Sequence, residues 1–508
     1  MRICKLLSAV AVLVLIFGLA TFTSRAGIPQ TDDTTNAKST VHPSVVRSPD
    51  ALTASVPGPN YGLFTCQVGL TPPVVCYDPY QMRRAYSVDK LISAGFTGKG
   101  KTIVIVDAFQ SPNIVQELNF YDNFYGLPGM NGLGSPKNPS LPTFSQVAPD
   151  GLTPFVSGDP VMTGWAEEIT LDVLWAHAIA PGANIVLLLA KDSSDAAIVS
   201  AEKYAVERNL GDVISQSFGE NESCLDPADL LSYNQVYDEA TEKSITIFAS
   251  SGDQGAAQPT CDGNSWVRAA SFPASHPLAT GVGGTELHAA KYCFASLGCD
   301  PSTQPAFGTY LGEIVWNEFG SESSGGGYSV LFDKPSYQED SVRGKQRGVP
   351  DVAYDAAVFH GVLTYLDIPG LSSGPGFYLF GGTSAGSPQW AAITAIADQK
   401  AEGRLGFLNK ALYQIGESQR RYSSIFHDIT SGNNSVVESD SNNHPVGIQG
   451  FNAGPEWDPT TGLGSPIANQ LVDSLIKSVS QNDGQDTING TSAHSEGNFS
   501  KHGKVKPH

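Results

Sequence analysis

The turn Gly98-Lys-Gly100 leads into a β-branched run, Thr102-Ile-Val-Ile-Val-Asp107, and comparable apolar runs recur at 184–189, 212–217 and 244–249. Between them lie helical patterns at about 112–124, 164–180, 194–208 and 228–242. Strands that are apolar on both faces need cover on both faces. Strand–helix alternation supplies that cover as a parallel sheet with helices on either side. The expected fold class is therefore α/β, with a doubly wound, mainly parallel sheet. In such a sheet the ligand crevice opens beyond the carboxyl ends of the strands, so chemistry is expected there.

At the N-terminus, Arg2 and Lys5 precede an apolar run from Leu6 to about Phe22, and Ser24-Arg25-Ala26 offers a small-x-small cleavage site. This reads as a signal peptide over 1–26, with an uncleaved anchor as the alternative. No later stretch is apolar for the 18 or so residues that spanning needs. The mature protein is thus expected to be secreted, extracellular and free of the membrane. Residues 27–78, rich in Ser, Thr, Pro, Val and Asp without periodicity, read as a short pro-segment or linker. The folded domain is expected over 79–476, and the polar residues 477–508 as a disordered tail.

Cys4 falls in the signal peptide, which leaves Cys66, Cys76, Cys224, Cys261, Cys293 and Cys299. An even count in an exported chain reads as disulfides. Proximity favours Cys66–Cys76 and Cys293–Cys299, leaving Cys224–Cys261, although six cysteines permit 15 connectivities. The chain carries 50 Asp+Glu against 30 Lys+Arg, a net charge of −20. That balance argues against a phosphate-binding surface, and no nucleic-acid partner is expected. An acidic exterior fits work at low pH, and equally fits simple solubility.

The strongest local signal is Phe380-Gly-Gly-Thr-Ser-Ala-Gly-Ser-Pro-Gln-Trp390, running into an Ala-rich helix. Small residues around Ser384 allow a peptide backbone to approach, and unpaired N–H groups at a helix start can stabilise an oxyanion. Alone, such a Ser is more often a helix cap. The flanking pattern resembles the Gly-Thr-Ser-x-x-x-Pro signature of subtilisin-like serine peptidases. None of the ten histidines sits in the His-Gly-Thr-like motif those enzymes use for their base. In its place stands Glu167-Glu168-Ile-Thr-Leu-Asp172, on an apolar helix.

This combination resembles the sedolisin family of serine-carboxyl peptidases, a subtilisin-like fold with Glu in place of His. The likeness covers 77–466 and includes Ser215-Gln-Ser-Phe-Gly219 and Ala249-Ser-Ser-Gly-Asp-Gln-Gly255. It implies Ser384 as nucleophile, Glu168 as base, Asp172 as its partner and Asp253 as oxyanion donor. Glu168 and Asp172 are four apart, so a helix puts them on one face, where paired carboxyls resist double ionisation. Glu167 has only Leu171 at that spacing. Asp253 can donate a hydrogen bond only when protonated, which ties activity to acid. Ser217 and Gly219 are expected to bind substrate backbone by strand addition. Asp107, at a strand end, is expected to be structural or merely near the site.

The resemblance also implies one Ca2+ ion, held by the side chains of Asp428 and Asp458 and the carbonyls of Ile429, Gly454 and Glu456. The family usually has Gly where Glu456 stands, which matters if that position needs φ > 0. The family also begins with a large folded pro-domain, whereas only residues 27–78 precede the domain here, so latency is expected to be arranged differently or to be absent. The expected activity is acid endopeptidase action on peptides or unfolded protein by a monomer. Open alternatives are tripeptidyl-peptidase action, an ordinary subtilisin, or a catalytically silent binding or cell-surface protein on the same scaffold.

Overall fold

The computed structural model describes residues 40–489, apart from 59, 134–136 and 419–420, and side chains as far as 481. The expected signal peptide lies outside the described residues, as do 490–508. The described chain begins with two short strands, β1 (His42–Pro43) and β2 (Val46–Arg47), and then β3 (Val75–Tyr77). Next come β4 (Thr102–Ala108), β5 (Phe144–Val147), β6 (Asn184–Ala190), β7 (Val213–Gln216) and β8 (Phe218–Asn221). They are followed by β9 (Thr246–Ser250), β10 (Thr280–Ala289), β11 (Tyr310–Val315), β12 (Val352–Asp355), β13 (His360–Leu366) and β14 (Gly376–Gly381).

The main sheet has eight strands in the order β11-β10-β9-β7-β4-β6-β5, with β12 also on β10. All its pairings are parallel except β10 with β11. The apolar run of β4 lies in the middle because both its faces are covered. Ile103 and Ile105 enter one core with α1 (Ile114–Tyr125), α2 (Pro160–Ile179) and α5 (Gly386–Lys400). Val104 and Val106 enter the other with α3 (Asp195–Glu207) and α4 (Pro227–Glu242). The sheet is doubly wound, in the expected class.

From β4 the chain winds through β5 and β6 on one side, then returns to β7 on the other. This reversal opens the crevice at the carboxyl ends of β4 and β7. Asp107 is near the end of β4 and Ser217 directly follows β7.

Two boundaries differ from expectation. Residues 40–78, expected as linker or pro-segment, are partly woven into the fold. β1 pairs antiparallel with β8, β2 with β14, and β3 parallel with β13. Strands this short show no periodicity because their partners are backbone groups, which are blind to side chain. At the other end a helix, α6 (Ala468–Asn489), continues past 477. Its buried Leu471, Val472 and Leu475 hold it to the core, so a polar continuation still extends the helix. The three disulfides are Cys66–Cys76, Cys224–Cys261 and Cys293–Cys299. Among the described residues no helix is long and apolar enough to cross a membrane.

Candidate active site

Helix α2 starts at Pro160, with the Asp159 side chain accepting from Val161 N and Met162 N at 2.9 Å each. That cap satisfies two otherwise unpaired donors and fixes where the helix begins. Between Trp165 and Ile179 only Glu167 is not buried, so Glu168 and Asp172 both face the protein interior. Glu167 turns outward and accepts from Arg47 Nε at 2.8 Å. The frame of the helix thus separates the two adjacent glutamates. Among the described residues neither carboxylate oxygen of buried Glu168 has a hydrogen-bond partner, and the Asp172 carboxyl and the Ser384 hydroxyl both act on its titration. Asp172 Oδ2 accepts from Ser217 Oγ at 2.7 Å.

Asp107, also fully buried, interacts electrostatically with both carboxyls of α2 and completes a cluster of three acids. Burial raises the Glu168 pKa well above the ordinary range, and Asp172, Asp107 and Asp253 push it further. Burial lifts Asp172 to about 8, against the opposing influence of Ser217 and Glu168. Asp107 is raised by burial and by Asp172. Acids this close cannot all ionise, so the cluster holds protons in common.

Ser384 sits in a single 3₁₀ turn, Thr383–Ala385, that runs directly into α5. Its backbone N–H is one of the donors a helix start leaves unpaired. Here it donates to the Ser44 carbonyl at 3.1 Å. Asp253 flanks the same point. Its Oδ1 accepts from Thr383 N and Thr383 Oγ1, both at 2.8 Å, which fixes the carboxyl plane. Its Oδ2 is turned toward Gly382, where an added Cβ would lie 2.6 Å from Asp253 Oδ2 and 2.6 Å from Ser44 O. Gly382 also has φ 94°, so only glycine fits there.

The turn between β7 and β8 supplies the backbone lane. The Ser217 carbonyl accepts from Ser44 N at 3.1 Å and from Ser384 Oγ at 3.2 Å. Gly219 pairs with His42. A Cβ on Gly219 would meet Ser271 Oγ at 2.2 Å, so the lane is as narrow as backbone alone. The structure therefore gathers Ser384, Glu168, Asp172, Asp253, Ser217 and Gly219 at the sheet's carboxyl edge. Asp107 belongs to the same buried cluster.

No family model matches the chain. It is similar to kumamolisin of Bacillus sp. (strain MN-32), 32% identical over 420 residues, which are 80% of this chain and 64% of the relative. It is similar to sedolisin of Pseudomonas sp. (strain 101), 32% identical over 286 residues, covering 54% and 42%. Tripeptidyl-peptidase 1 of Homo sapiens is 31% identical over 291 residues, covering 53% and 44%. Among solved structures, Pseudomonas sedolisin, a serine-carboxyl proteinase complexed with pseudo-iodotyrostatin, superposes with a TM-score of 0.62 at 25% identity. That match covers 80% of this chain and 99% of the other.

The chain belongs to the sedolisin family. It spans just under two thirds of kumamolisin and under half of the other two curated relatives. Its fold is the subtilisin-like α/β fold shared with Pseudomonas sedolisin.

The remaining residues expected in the site of this sedolisin-family chain form a separate loop cluster. Glu456 N donates to Asp428 Oδ1 at 3.1 Å, and Gly454 N to Asp458 Oδ2 at 3.2 Å. Asp458 also accepts from Thr460 and Thr461. Burial raises both aspartates above the usual carboxyl range, and Asp458 and Glu456 add to the shift of Asp428. Glu456 has φ 65°, so the position does require the left-handed region, and this chain places Glu there at a cost of roughly 1 kcal/mol. Among the described residues, the carbonyls of Ile429, Gly454 and Glu456 accept none of the hydrogen bonds that tie the loop. Two adjacent carboxylates and three available carbonyls suit a hard cation.

One cluster was not visible in sequence. Glu286, His288 and His360 bring possible ligand atoms within 4.8 Å of one another. Both imidazoles lie 3.2 Å from Glu286 Oε1; Glu286 raises the pKa of His288, whereas burial lowers His360 to about 4, so His360 is a neutral neighbour above that pH. Only the alternation Glu286-x-His288 could have signalled it, since His360 arrives from another strand.

Proposed function

We propose that this chain is a secreted, acid-active serine-carboxyl endopeptidase that hydrolyses peptides or unfolded protein. One observation carries the reading: Ser384 N–H donates to the Ser44 carbonyl, that oxygen and Asp253 Oδ2 both border Gly382, and the Ser384 hydroxyl acts on the titration of Glu168. Ser384 Oγ attacks the carbonyl carbon and its proton passes to Glu168, backed by Asp172. The oxyanion that forms is held by Ser384 N–H and by protonated Asp253. Glu168 then returns the proton to the leaving amine. Water repeats the sequence on the acyl-enzyme, with Glu168 again as base. Ser217 and Gly219 hold the substrate backbone as an added strand.

Endopeptidase action is supported by the length of the lane on the acyl side. Five residues, 40–44, lie along it, with Val41 N donating to Ser193 O at 3.0 Å and Thr40 bridged to Ser194. A site limited to three residues before the cut would close before Val41. Export is supported by the disulfides and by the N-terminal sequence. We assign one Ca2+ ion to Asp428, Asp458 and the carbonyls of Ile429, Gly454 and Glu456. When bound it would offset the adjacent carboxylates and staple the two loops together.

The test is Ser384→Ala. Turnover of denatured protein at pH 3–5 is expected to fall roughly 10⁴-fold or more while the circular dichroism spectrum is retained. Substantial turnover by the folded variant would remove Ser384 as nucleophile.

A further inference from the structure

Side chains alternate along β10, so Leu287 turns into the core while Glu286 and His288 share the opposite face. His288 is 44% exposed, whereas Glu286 is mostly buried. His360 comes to them from the first position of β13, where the backbone is held firmly. Val358 N and Phe359 N donate to the Glu318 carboxylate at 2.7 and 2.9 Å, and Val75 N of β3 donates to Phe359 O at 2.7 Å. The His360 ring is mostly buried, and its centroid lies 4.7 Å from that of His288, with the planes inclined at 62°.

The spacing within this group is that of metal ligands. Glu286 Oε1 lies 3.2 Å from His288 Nε2 and 3.2 Å from His360 Nδ1. Ligands bonded to a tetrahedral zinc ion stand about 3.3 Å from one another, so both separations already match. The third, between the imidazole ligand atoms, is at most 4.8 Å, and rotation of the half-exposed His288 side chain can shorten it. His360 Nδ1 is buried and makes no hydrogen bond among the described residues, although Glu286 Oε1 is so near. Co-ligands of one ion stand in this relation, close together yet each aimed at the metal. We propose that Glu286, His288 and His360 form a second metal site, for Zn2+, with water completing its shell. Two imidazoles and one carboxylate suit zinc, whereas calcium takes six to eight oxygens. The site shares no residue with the loops assigned to Ca2+. Of the other charges nearby, Glu313 and Glu318 favour a cation and Lys291 opposes one.

The ion ties two sheets together. Glu286 and His288 belong to the main sheet, and His360 to the four-stranded sheet of β2, β14, β13 and β3. β13 pairs antiparallel with β14, which ends at Gly381, directly before Gly382 and the turn that carries Ser384. The link between β12 and β13 meets the same point, where Gly382 N donates to Ala356 O at 2.7 Å. A metal holding β13 against β10 therefore braces the support of that turn without touching the reacting groups. Its place is structural, and the site stands whether or not the chain is a peptidase.

The test titrates Zn2+ into the full chain by calorimetry at pH 7.5, where imidazole can give its lone pair, with Ca2+ saturating so that the oxygen-rich loops are already supplied. Wild type is expected to bind one ion at this site with a Kd of about 10 μM or tighter. His288→Ala changes a half-exposed side chain and is expected to keep the fold. It and His360→Gln should each weaken that binding by at least about tenfold, because each removes one ligand. His444→Ala removes an exposed histidine beside Asp440 and should bind as wild type does. Excess Zn2+ should raise the melting temperature of wild type and leave that of His288→Ala unchanged. Melting curves without zinc check that each variant has folded. Anomalous scattering at the zinc edge from a zinc-soaked crystal should place the ion between Glu286, His288 and His360. Wild-type binding weaker than about 100 μM would overturn the site. So would tight binding that folded His288→Ala retains in full, or an ion located elsewhere with none at these three residues.

Discussion

Asp172→Asn removes one titrating group from the centre of the buried acid cluster while keeping a side chain of the same shape. The amide oxygen can still accept from the Ser217 hydroxyl. Burial lifts Asp172 to about 8, whereas an aspartate in the unfolded chain titrates near pH 3.9. The folded state therefore keeps a proton that the unfolded state releases. For a raised pKa the sign is fixed: the contribution is fully present below the unfolded value and is lost as pH rises through the folded one. The slope is about 1.4 kcal/mol per pH unit for each such proton. Glu168 and Asp107 act in the same direction. Buried His177 and His276, lowered to about 4 and about 3, act in the opposite direction, but only below their unfolded pKa near 6.5. The window pH 6.5–8 lies above the histidine effects, and there one proton is worth about 2 kcal/mol. Glu117, Asp122, Asp398 and Glu438, raised by burial to about 7 or about 8, add to the same fall, so the difference between Asp172→Asn and its background isolates Asp172. Urea unfolding in a Ser384→Ala background, which prevents self-digestion, measures it at half-unit steps. Stability should fall across the window, and Asp172→Asn should reduce the slope by up to one proton's worth. A background stability that is flat or rises from pH 6.5 to 8 would refute the reasoning, as would an unchanged slope in the Asn variant.

Two further outcomes are expected. Excess chelator should lower the melting temperature of protein purified with calcium at pH 5–6. A site filled at a hundredfold excess over Kd contributes about 3 kcal/mol, and Asp428→Asn should melt like the chelated protein and respond little to more chelator. Gly382→Ala should cut kcat/KM by more than about tenfold, because its Cβ would lie 2.6 Å from both Asp253 Oδ2 and the carbonyl position at a φ of 94°; near-normal kinetics would show that neither position is used.

The sheet was legible because runs such as Thr102–Ala108 are apolar on both faces, and only a strand covered twice needs that. The Glu168–Asp172 pair was legible from its spacing, and helix geometry alone separates Glu168 from Glu167. What sequence left open depends on groups far apart along the chain. Asp107 reaches Asp172 only when β4 lies against α2. The threading of 40–47 is carried mostly by backbone hydrogen bonds, so a Ser-, Pro- and Val-rich stretch could as well be a linker. Glu456 posed a conditional question, whether its position needs a positive φ, which backbone geometry answers. The continuation of α6 past 477 was hidden because the apolar residues anchoring it come earlier, at Leu471, Val472 and Leu475.

The central claim is that peptide hydrolysis runs on carboxyl groups with no histidine base. Initial rates on denatured protein from pH 2 to 8, for wild type and Asp253→Asn, test it most directly. Glu168 must accept a proton while Asp253 still holds one, so wild type should peak on the acid side of neutrality and decline as Asp253 ionises. Asp253→Asn carries a donor that does not ionise and should keep a larger fraction of its own maximal rate at pH 6–7. A wild-type optimum near pH 8 would contradict the account and point to a base that titrates as histidine does.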